Sequence, residues 1–238
     1  MSNLYLVRHG QAGTRDAYDS LSDLGCRQSQ LLGHYFRSQD IRFTSSFCGE
    51  MCRQQQTARE VKAGYGDGFP DVVVDSGWSE FDLDRMYREI ALPMCAENAD
   101  FKREYEAMRQ QLRASREEHD AGVHRRWLPC DTAVVNAWIR NDYPYAGESW
   151  QQFQKRVAAC HSRMSSSRHD NVAVFTSATP IAIWAGLALD IADERVMKIA
   201  GVLHNASLTI IQIRDDRLRL FMLNATPHLV SKDLRTFR

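Results

Sequence analysis

The sequence has little that would direct the protein to nucleic acid or to a membrane. Its 30 Lys and Arg residues equal its 30 Asp and Glu residues, so the formal net charge is zero and any anion site must be local. No run of about eighteen apolar residues occurs, and no basic stretch precedes a long apolar segment at the N-terminus. We therefore expect a cytoplasmic protein that binds neither nucleic acid nor a membrane.

The sequence also lacks the paired C-x-x-C spacing of a structural zinc site. Its six cysteines are scattered through 238 residues, a pattern that favours reduced, partly buried thiols. Cys48 and Cys52 stand four apart, but two ligands do not make a metal site. No internal repeat or low-complexity tract is visible, and the length fits one large domain. We expect neither a metal nor another cofactor.

The most informative segment is an apolar run at residues 4–7 that leads directly into Arg8, His9, Gly10 and Gln11. A short apolar run bounded by a turn signal predicts a buried strand, and open α/β sheets bind ligands beyond the carboxyl ends of such strands. The arginine fork matches phosphate oxygens, and a neutral imidazole can act as a nucleophile near pH 7. Gly10 allows a sharp turn, and we interpret it and Gln11 as supporting residues.

Strand-like and helix-like segments alternate along most of the chain. Strand character is seen at residues 4–7, 41–46, 72–74, 172–175, 207–213 and 218–223, and helical character at residues 24–36, 51–62, 149–163 and after Thr179. The alternation predicts an α/β fold in which a mostly parallel central sheet is flanked by helices on both faces and has an antiparallel edge. Thr179 is the predicted N-cap of the helix that begins at Pro180.

The alternation is interrupted between about residues 82 and 146. Residues 100–120 are dense in Lys, Arg, Glu and Gln and have few apolar positions, as expected for a solvent-facing helix. We interpret residues 82–146 as a helical cap insertion within a single α/β domain that spans residues 1–238. We expect this insertion to line the mouth of the site.

Further short motifs follow the first one in a characteristic order. The chain carries Arg8-His9-Gly10, then Arg53 followed by Gln56-Thr57-Ala58, then Glu80, Gly147-Glu148-Ser149, Asn205-Ala206-Ser207 and His228. This order and spacing resemble the histidine phosphatase superfamily, which includes the cofactor-dependent phosphoglycerate mutases. The resemblance extends from residue 4 to about residue 229. It implies a metal-independent phosphomonoester hydrolase that acts on a small phosphorylated substrate.

The resemblance also implies a role for each of four residues. His9 would be the nucleophile that accepts the phosphoryl group, and Arg8 and Arg53 would bind its oxygens. Glu80, kept protonated by restricted solvent, would donate a proton to the leaving alkoxide and then, as a carboxylate, activate the attacking water. These groups suit phosphoryl transfer, which depends mainly on positioning and on stabilising charge.

The sequence departs from the family at one position. Members carry a second histidine directly after the strand that here ends near Phe175, and this chain has Ser177 in that place. A serine hydroxyl is a neutral donor, whereas a protonated imidazole adds positive charge. Loss of one preorganised donor typically costs about 10²- to 10³-fold in rate. His204 and His228 are candidates for a substitute imidazole, and each is equally an ordinary surface or capping residue.

Three functions remain open from the sequence. The leading hypothesis is a phosphatase working through phosphohistidine on His9, with Ser177 as a weaker phosphate-binding group and with reduced activity. The first alternative is a catalytically silent protein of the same fold that binds a phosphorylated ligand. The second, less favoured, is a phosphoglycerate mutase. The sequence does not reveal the oligomeric state.

Overall fold

A computed structural model of the chain describes residues 2–13, 19–117, 128–160, 171–214 and 217–237. Within these residues one sheet contains β1 (Ser2–Arg8), β2 (Ser45–Cys48), β3 (Val72–Val74), β4 (Asn171–Thr176), β5 (Leu208–Arg214) and β6 (Arg217–Ala225). Their order is β3-β2-β4-β1-β5-β6. Neighbours from β3 to β1 are parallel, and β5 runs antiparallel to both β1 and β6. The predicted α/β class, with a mostly parallel sheet and an antiparallel edge, is confirmed.

Helices occupy most of the remaining described chain. They are α1 (Asp23–Ser38), α2 (Cys52–Tyr65), α3 (Leu83–Met86), a π-helical turn (Tyr87–Ala91), α4 (Leu92–Glu97), α5 (Ala99–Glu117), α6 (Pro129–Arg140), α7 (Trp150–Ala159), α8 (Ala178–Leu189) and α9 (Asp193–Ala200). The predicted helices at 100–120 and 149–163 correspond to α5 and α7, and residues 118–120 and 161–163 lie outside the described chain. None of the described helices combines the length and apolar character needed to cross a membrane.

The two faces of the sheet are covered by different helices. Tyr5 and Val7 of β1 join a buried cluster with apolar side chains of α1 and α2. Side chains alternate between faces along a strand, so Leu4 and Leu6 point to the opposite face, where both are buried. Helix α8 contacts β1, β5 and β6. No side chain of β1 between residues 4 and 7 faces water, which explains why this part of the strand is apolar throughout.

The chain divides into two units, one formed by Met1–Glu80 with Arg156–Arg238 and the other by Phe81–Lys155. The second unit has an aromatic core in which the Trp138 ring centroid lies 5.2 Å from that of Phe81 and 5.4 Å from that of Trp150. The predicted insertion at 82–146 lies in this unit, and its role as a cap stays a prediction. The strands and the sequence-predicted site residues all belong to the first unit.

The sheet order places β1 between β4 and β5. Arg8, the last residue of β1, is paired in register with Thr176, the last residue of β4. The segments that follow two parallel strands therefore leave the sheet side by side. In open α/β sheets this edge is where ligands bind.

Candidate active site

His9 and Ser177 are neighbours beyond the ends of β1 and β4. The backbone N–H of His9 donates to the Thr176 carbonyl at 2.8 Å, and Ser177 is the next residue. Both side chains are almost completely buried, with 1% exposure each. The sheet register alone thus brings together the predicted nucleophile and the residue that stands in the place of the family's second histidine.

The imidazole of His9 has a defined orientation. Its Nδ1 lies 2.8 Å from the Gly10 carbonyl oxygen. A carbonyl oxygen only accepts hydrogen bonds, so Nδ1 must carry the proton. In the neutral ring, Nε2 then keeps its lone pair. The arrangement makes Nε2 the nitrogen with nucleophilic character.

The backbone around His9 is fixed by contacts from three other segments. The His9 carbonyl accepts from the Ala206 N–H at 3.1 Å and from Asn205 Nδ2 at 3.4 Å. The Gly10 N–H donates to Thr57 Oγ1 in α2 at 3.0 Å. A Cβ on Gly10 would lie 2.4 Å from the Gly25 carbonyl oxygen, so the close approach of α1 requires glycine at position 10. Gly10 thus allows the close packing of α1 against the His9 segment, and its supporting role in the site stays a prediction.

Gln11 is tied to the start of α1. Its N–H donates to Gln28 Oε1 at 2.8 Å, and its own Oε1 accepts from Ser22 Oγ at 2.9 Å. Ser22 in turn caps α1 by accepting from the Gly25 N–H at 3.1 Å. Through these contacts Gln11 links the His9 segment to the N-terminal part of α1.

The two predicted phosphate-binding arginines are both buried. Arg8 Nη1 donates to the Leu203 carbonyl, which lies in the segment just before β5. Arg53, in the first turn of α2, forms an ion pair from Nη1 to Asp19 Oδ1 at 3.0 Å, and the Asp19 side chain is 61% exposed. Two guanidinium groups held in a buried setting provide charge-assisted donors suited to a phosphate dianion.

Glu80 contacts the first turn of α8. Its Oε2 accepts from the Thr179 N–H at 3.1 Å. The structure corrects the predicted helix start, since Ser177 occupies the N-cap position and α8 begins at Ala178. The positive end of a helix dipole stabilises a carboxylate, so this contact favours the ionised form of Glu80. The expected role of Glu80 as a proton donor stays a prediction.

The backbone that leads to Glu80 is held by Arg156, a residue that sequence reasoning missed. Arg156 Nη1 lies 2.7, 3.0 and 3.2 Å from the carbonyl oxygens of Ser76, Gly77 and Ser79. The Trp78 carbonyl between them accepts from Thr176 Oγ1 and Gln54 Nε2. All four carbonyls from residue 76 to residue 79 thus have a donor, and Glu80 is presented from a restrained segment. In the sequence, Arg156 is one of three charged residues of the helix predicted at 149–163 and carries no signal of this role.

Ser177 is paired with Gln54 rather than with a histidine. Gln54 Nε2 donates to Ser177 Oγ at 2.8 Å. The two candidate substitutes have other contacts: His204 contacts Asn224 and the Phe237 ring, and His228 packs against Tyr35. His34 is exposed on α1, whereas the remaining histidines outside the site lie outside the described residues: His119, His124, His161 and His169.

The buried His228 makes the stability of the fold dependent on pH. Burial lowers the pKa of its imidazole from the usual 6.5 to about 4, and neither ring nitrogen has a hydrogen-bond partner within the described chain. The unfolded state therefore binds the additional proton first as the pH falls. The stabilisation is present above pH 6.5 and is lost towards pH 4, and between pH 8 and pH 5 we expect a loss of about 2 kcal/mol from this group.

Urea unfolding at the two pH values measures this loss. The free energy of unfolding of the parent should fall by about 2 kcal/mol more than that of His228→Phe, which cannot be protonated. His34→Phe serves as the matched control because His34 is exposed, and it should retain the pH dependence of the parent. Equal pH dependence of the parent and of His228→Phe would contradict the prediction.

The chain has the sheet order, the histidine beyond the central strand and the two buried arginines expected of an α/β protein of the histidine phosphatase type. The sequence model of the histidine phosphatase superfamily (branch 1) matches residues 4–137 and 131–226. The chain belongs to this superfamily. The resemblance inferred from the sequence motifs is thereby confirmed.

Individual known proteins are similar to this chain to different extents. Over 59 residues the chain is 36% identical to the mitochondrial serine/threonine-protein phosphatase Pgam5 of Caenorhabditis briggsae, and the match covers 25% of this chain and only 21% of that protein. YhfR of Bacillus stearothermophilus superimposes with a TM-score of 0.65 at 15% identity, covering 96% of this chain and all of that one. Mycobacterial glucosyl-3-phosphoglycerate phosphatase gives a TM-score of 0.60 at 17% identity, covering 94% and 99%. At these identities the two structures show a shared fold.

Proposed function

We propose that the chain hydrolyses phosphomonoesters of small molecules through a phosphohistidine intermediate on His9. The observation that carries the proposal is the contact between His9 Nδ1 and the Gly10 carbonyl. It assigns the proton to Nδ1 and leaves the Nε2 lone pair for attack on phosphorus. A histidine held only to stabilise a turn would not need this orientation in a buried position beyond a central strand.

The arginines have the charge that the first step requires. When Nε2 attacks phosphorus, the bond to the ester oxygen breaks and negative charge remains on the phosphoryl oxygens and the leaving alkoxide. Arg8 and Arg53, both buried, bind the phosphoryl oxygens in this proposal. Ser177 contributes a neutral hydroxyl donor in addition. Because neutral donors are weaker than charged ones, we expect turnover below that of an enzyme with an imidazole in this place.

Glu80 carries the proton in both half-reactions. A bound phosphate dianion adds negative charge nearby and favours the protonated carboxyl, which opposes the effect of the α8 dipole. The protonated Glu80 donates to the leaving alkoxide and becomes a carboxylate. It then takes a proton from the water that attacks phosphohistidine, and phosphate and free His9 are regenerated. The names of Pgam5 and of the mycobacterial protein, both phosphatases, support hydrolysis as the reaction class.

Trapping the intermediate tests the proposal directly. The protein is mixed briefly with an aryl phosphate, quenched in alkali and digested, and phosphate release is followed in parallel. We expect a mass increase of one phosphoryl group on the peptide that contains His9, stable in alkali and lost in acid. If phosphate raises the melting temperature while neither phosphopeptide nor released phosphate is found, the alternative of a silent phosphoryl-binding protein replaces this proposal.

A further inference from the structure

Gln54 is a buried amide within the candidate site that lies in the Arg53–Ala58 motif but has no role predicted from the sequence. It follows Arg53 in the first turn of α2, and its side chain is 0% exposed. Its amide makes three contacts. Nε2 donates to Ser177 Oγ at 2.8 Å and to the Trp78 carbonyl at 3.3 Å, and Oε1 accepts from the Met51 N–H at 3.3 Å.

These contacts fix which end of the amide faces Ser177. The Trp78 carbonyl can only accept, so it must face the NH₂ group, and the Met51 N–H can only donate, so it must face the amide oxygen. Exchanging the two ends would place two acceptors together and two donors together. The amide orientation therefore follows from the backbone groups, and Gln54 is the donor in its bond with Ser177.

The direction of that hydrogen bond determines whether the Ser177 hydroxyl can still donate its hydrogen to another group. Its oxygen accepts from Gln54, and its hydroxyl hydrogen finds no acceptor among the described residues. A hydroxyl whose lone pair is engaged by a buried donor is polarised and turned, so that its hydrogen points away from that donor. Ser177 adjoins Thr176, whose carbonyl holds the His9 N–H. The hydroxyl hydrogen is thus available for donation in the segment that lies next to His9.

We propose that Gln54 is a positioning residue that orients the Ser177 hydroxyl as a hydrogen-bond donor to the phosphoryl group bound at His9. The inference rests on the proposed function and deepens it, because it explains how a neutral residue at position 177 serves the site. The same amide holds the Trp78 carbonyl, two residues before Glu80. Because the Trp78 carbonyl also accepts from Thr176 Oγ1, we expect Gln54 to act on the site through Ser177, without contacting the reacting atoms.

A double-mutant cycle separates this role from a general structural one. Gln54→Met keeps the approximate volume and removes the N–H donor, and Ser177→Ala removes the hydroxyl. We expect Ser177→Ala to lower kcat/KM for an aryl phosphate about 10²-fold and Gln54→Met about tenfold. In the Ser177→Ala background, the further effect of Gln54→Met should shrink to less than about twofold, since the hydroxyl that Gln54 orients is absent. Equal losses in both backgrounds would overturn the inference.

Binding of orthovanadate, measured by calorimetry for the same four proteins, makes the two proposals separable. Coupled losses of vanadate affinity without turnover in the parent would refute the phosphatase and support the role of Gln54. Turnover in the parent, together with independent losses of vanadate affinity in the two single variants, would support the phosphatase and refute the role of Gln54. The matched control is Gln55→Met, because Gln55 lies in the same helical turn but donates to the Glu50 carbonyl; it should leave kcat/KM and affinity unchanged. Melting temperatures of all variants identify any loss of folded protein.

Discussion

Replacing His9 by asparagine should lower the release of phosphate from an aryl phosphate by at least about 10⁴-fold, the scale of losing a covalent nucleophile. Asparagine is chosen because its Nδ2 can take the place of the imidazole Nδ1. It can donate to the Gly10 carbonyl, which His9 Nδ1 contacts at 2.8 Å. The variant therefore keeps the local hydrogen bond and removes only the nitrogen assigned to attack phosphorus.

Phosphate release, phosphopeptide formation and the melting temperature are measured together for this variant. The melting temperature should stay near that of the parent, whereas the phosphopeptide should be absent. His34→Asn is the control, since His34 is exposed on α1, and it should retain full activity. Activity of His9→Asn within tenfold of the parent would exclude phosphohistidine at this position.

Replacing Glu80 by glutamine should have an effect that depends on the leaving group of the substrate. The amide oxygen of glutamine can still accept from the Thr179 N–H, which Glu80 contacts at 3.1 Å, but the amide cannot cycle a proton. For a simple alkyl phosphate, whose alkoxide needs a proton to depart, we expect kcat to fall about 10²- to 10⁴-fold. For para-nitrophenyl phosphate, whose leaving group departs unprotonated, the formation of phosphohistidine should be nearly unaffected.

Burst kinetics with the aryl ester distinguish the two half-reactions of Glu80→Gln. Because hydrolysis of phosphohistidine also needs a base, the burst of nitrophenol should persist while the later steady rate falls. Glu50→Gln, which alters an exposed carboxylate, is the control and should behave as the parent. Equal slowing of the burst for alkyl and aryl esters would indicate that Glu80 positions substrate and does not transfer a proton.

The sequence predicts the fold class and the superfamily because both are encoded by local patterns. The apolar run before Arg8 is continuous because β1 is buried on both faces. This apolar run can be recognised in the sequence without knowing which strands and helices pack against it. The same strand places His9 at a ligand-binding edge. The catalytic roles of His9, Arg8, Arg53 and Glu80 stay predictions, which the experiments above address.

Features that depend on distant contacts could not be predicted from local patterns. Gln54 and Ser177 are 123 positions apart, and in the sequence Gln54 is one of several polar residues of an amphipathic helix. The sequence predicts that α8 begins at Pro180, whereas it begins at Ala178, and the difference has a local reason. Proline at the first helical position is common, but the first-turn N–H groups have no intrahelical acceptor, so Pro180 is equally accommodated as the third residue of α8.

The position of β1 in the sheet also governs when the site can form during synthesis. β1 is made well before its hydrogen-bonded neighbours β4 and β5, which are residues 171–176 and 208–214. The Arg8 side chain is held by Leu203, and the His9 carbonyl by Asn205 and Ala206. A growing chain that has not yet released these segments from the ribosome has a central strand with two open edges and an unassembled candidate site. Folding of this sheet therefore depends on contacts of high sequence separation, and the strand that precedes His9 is exposed to mispairing until both of its neighbours have been made.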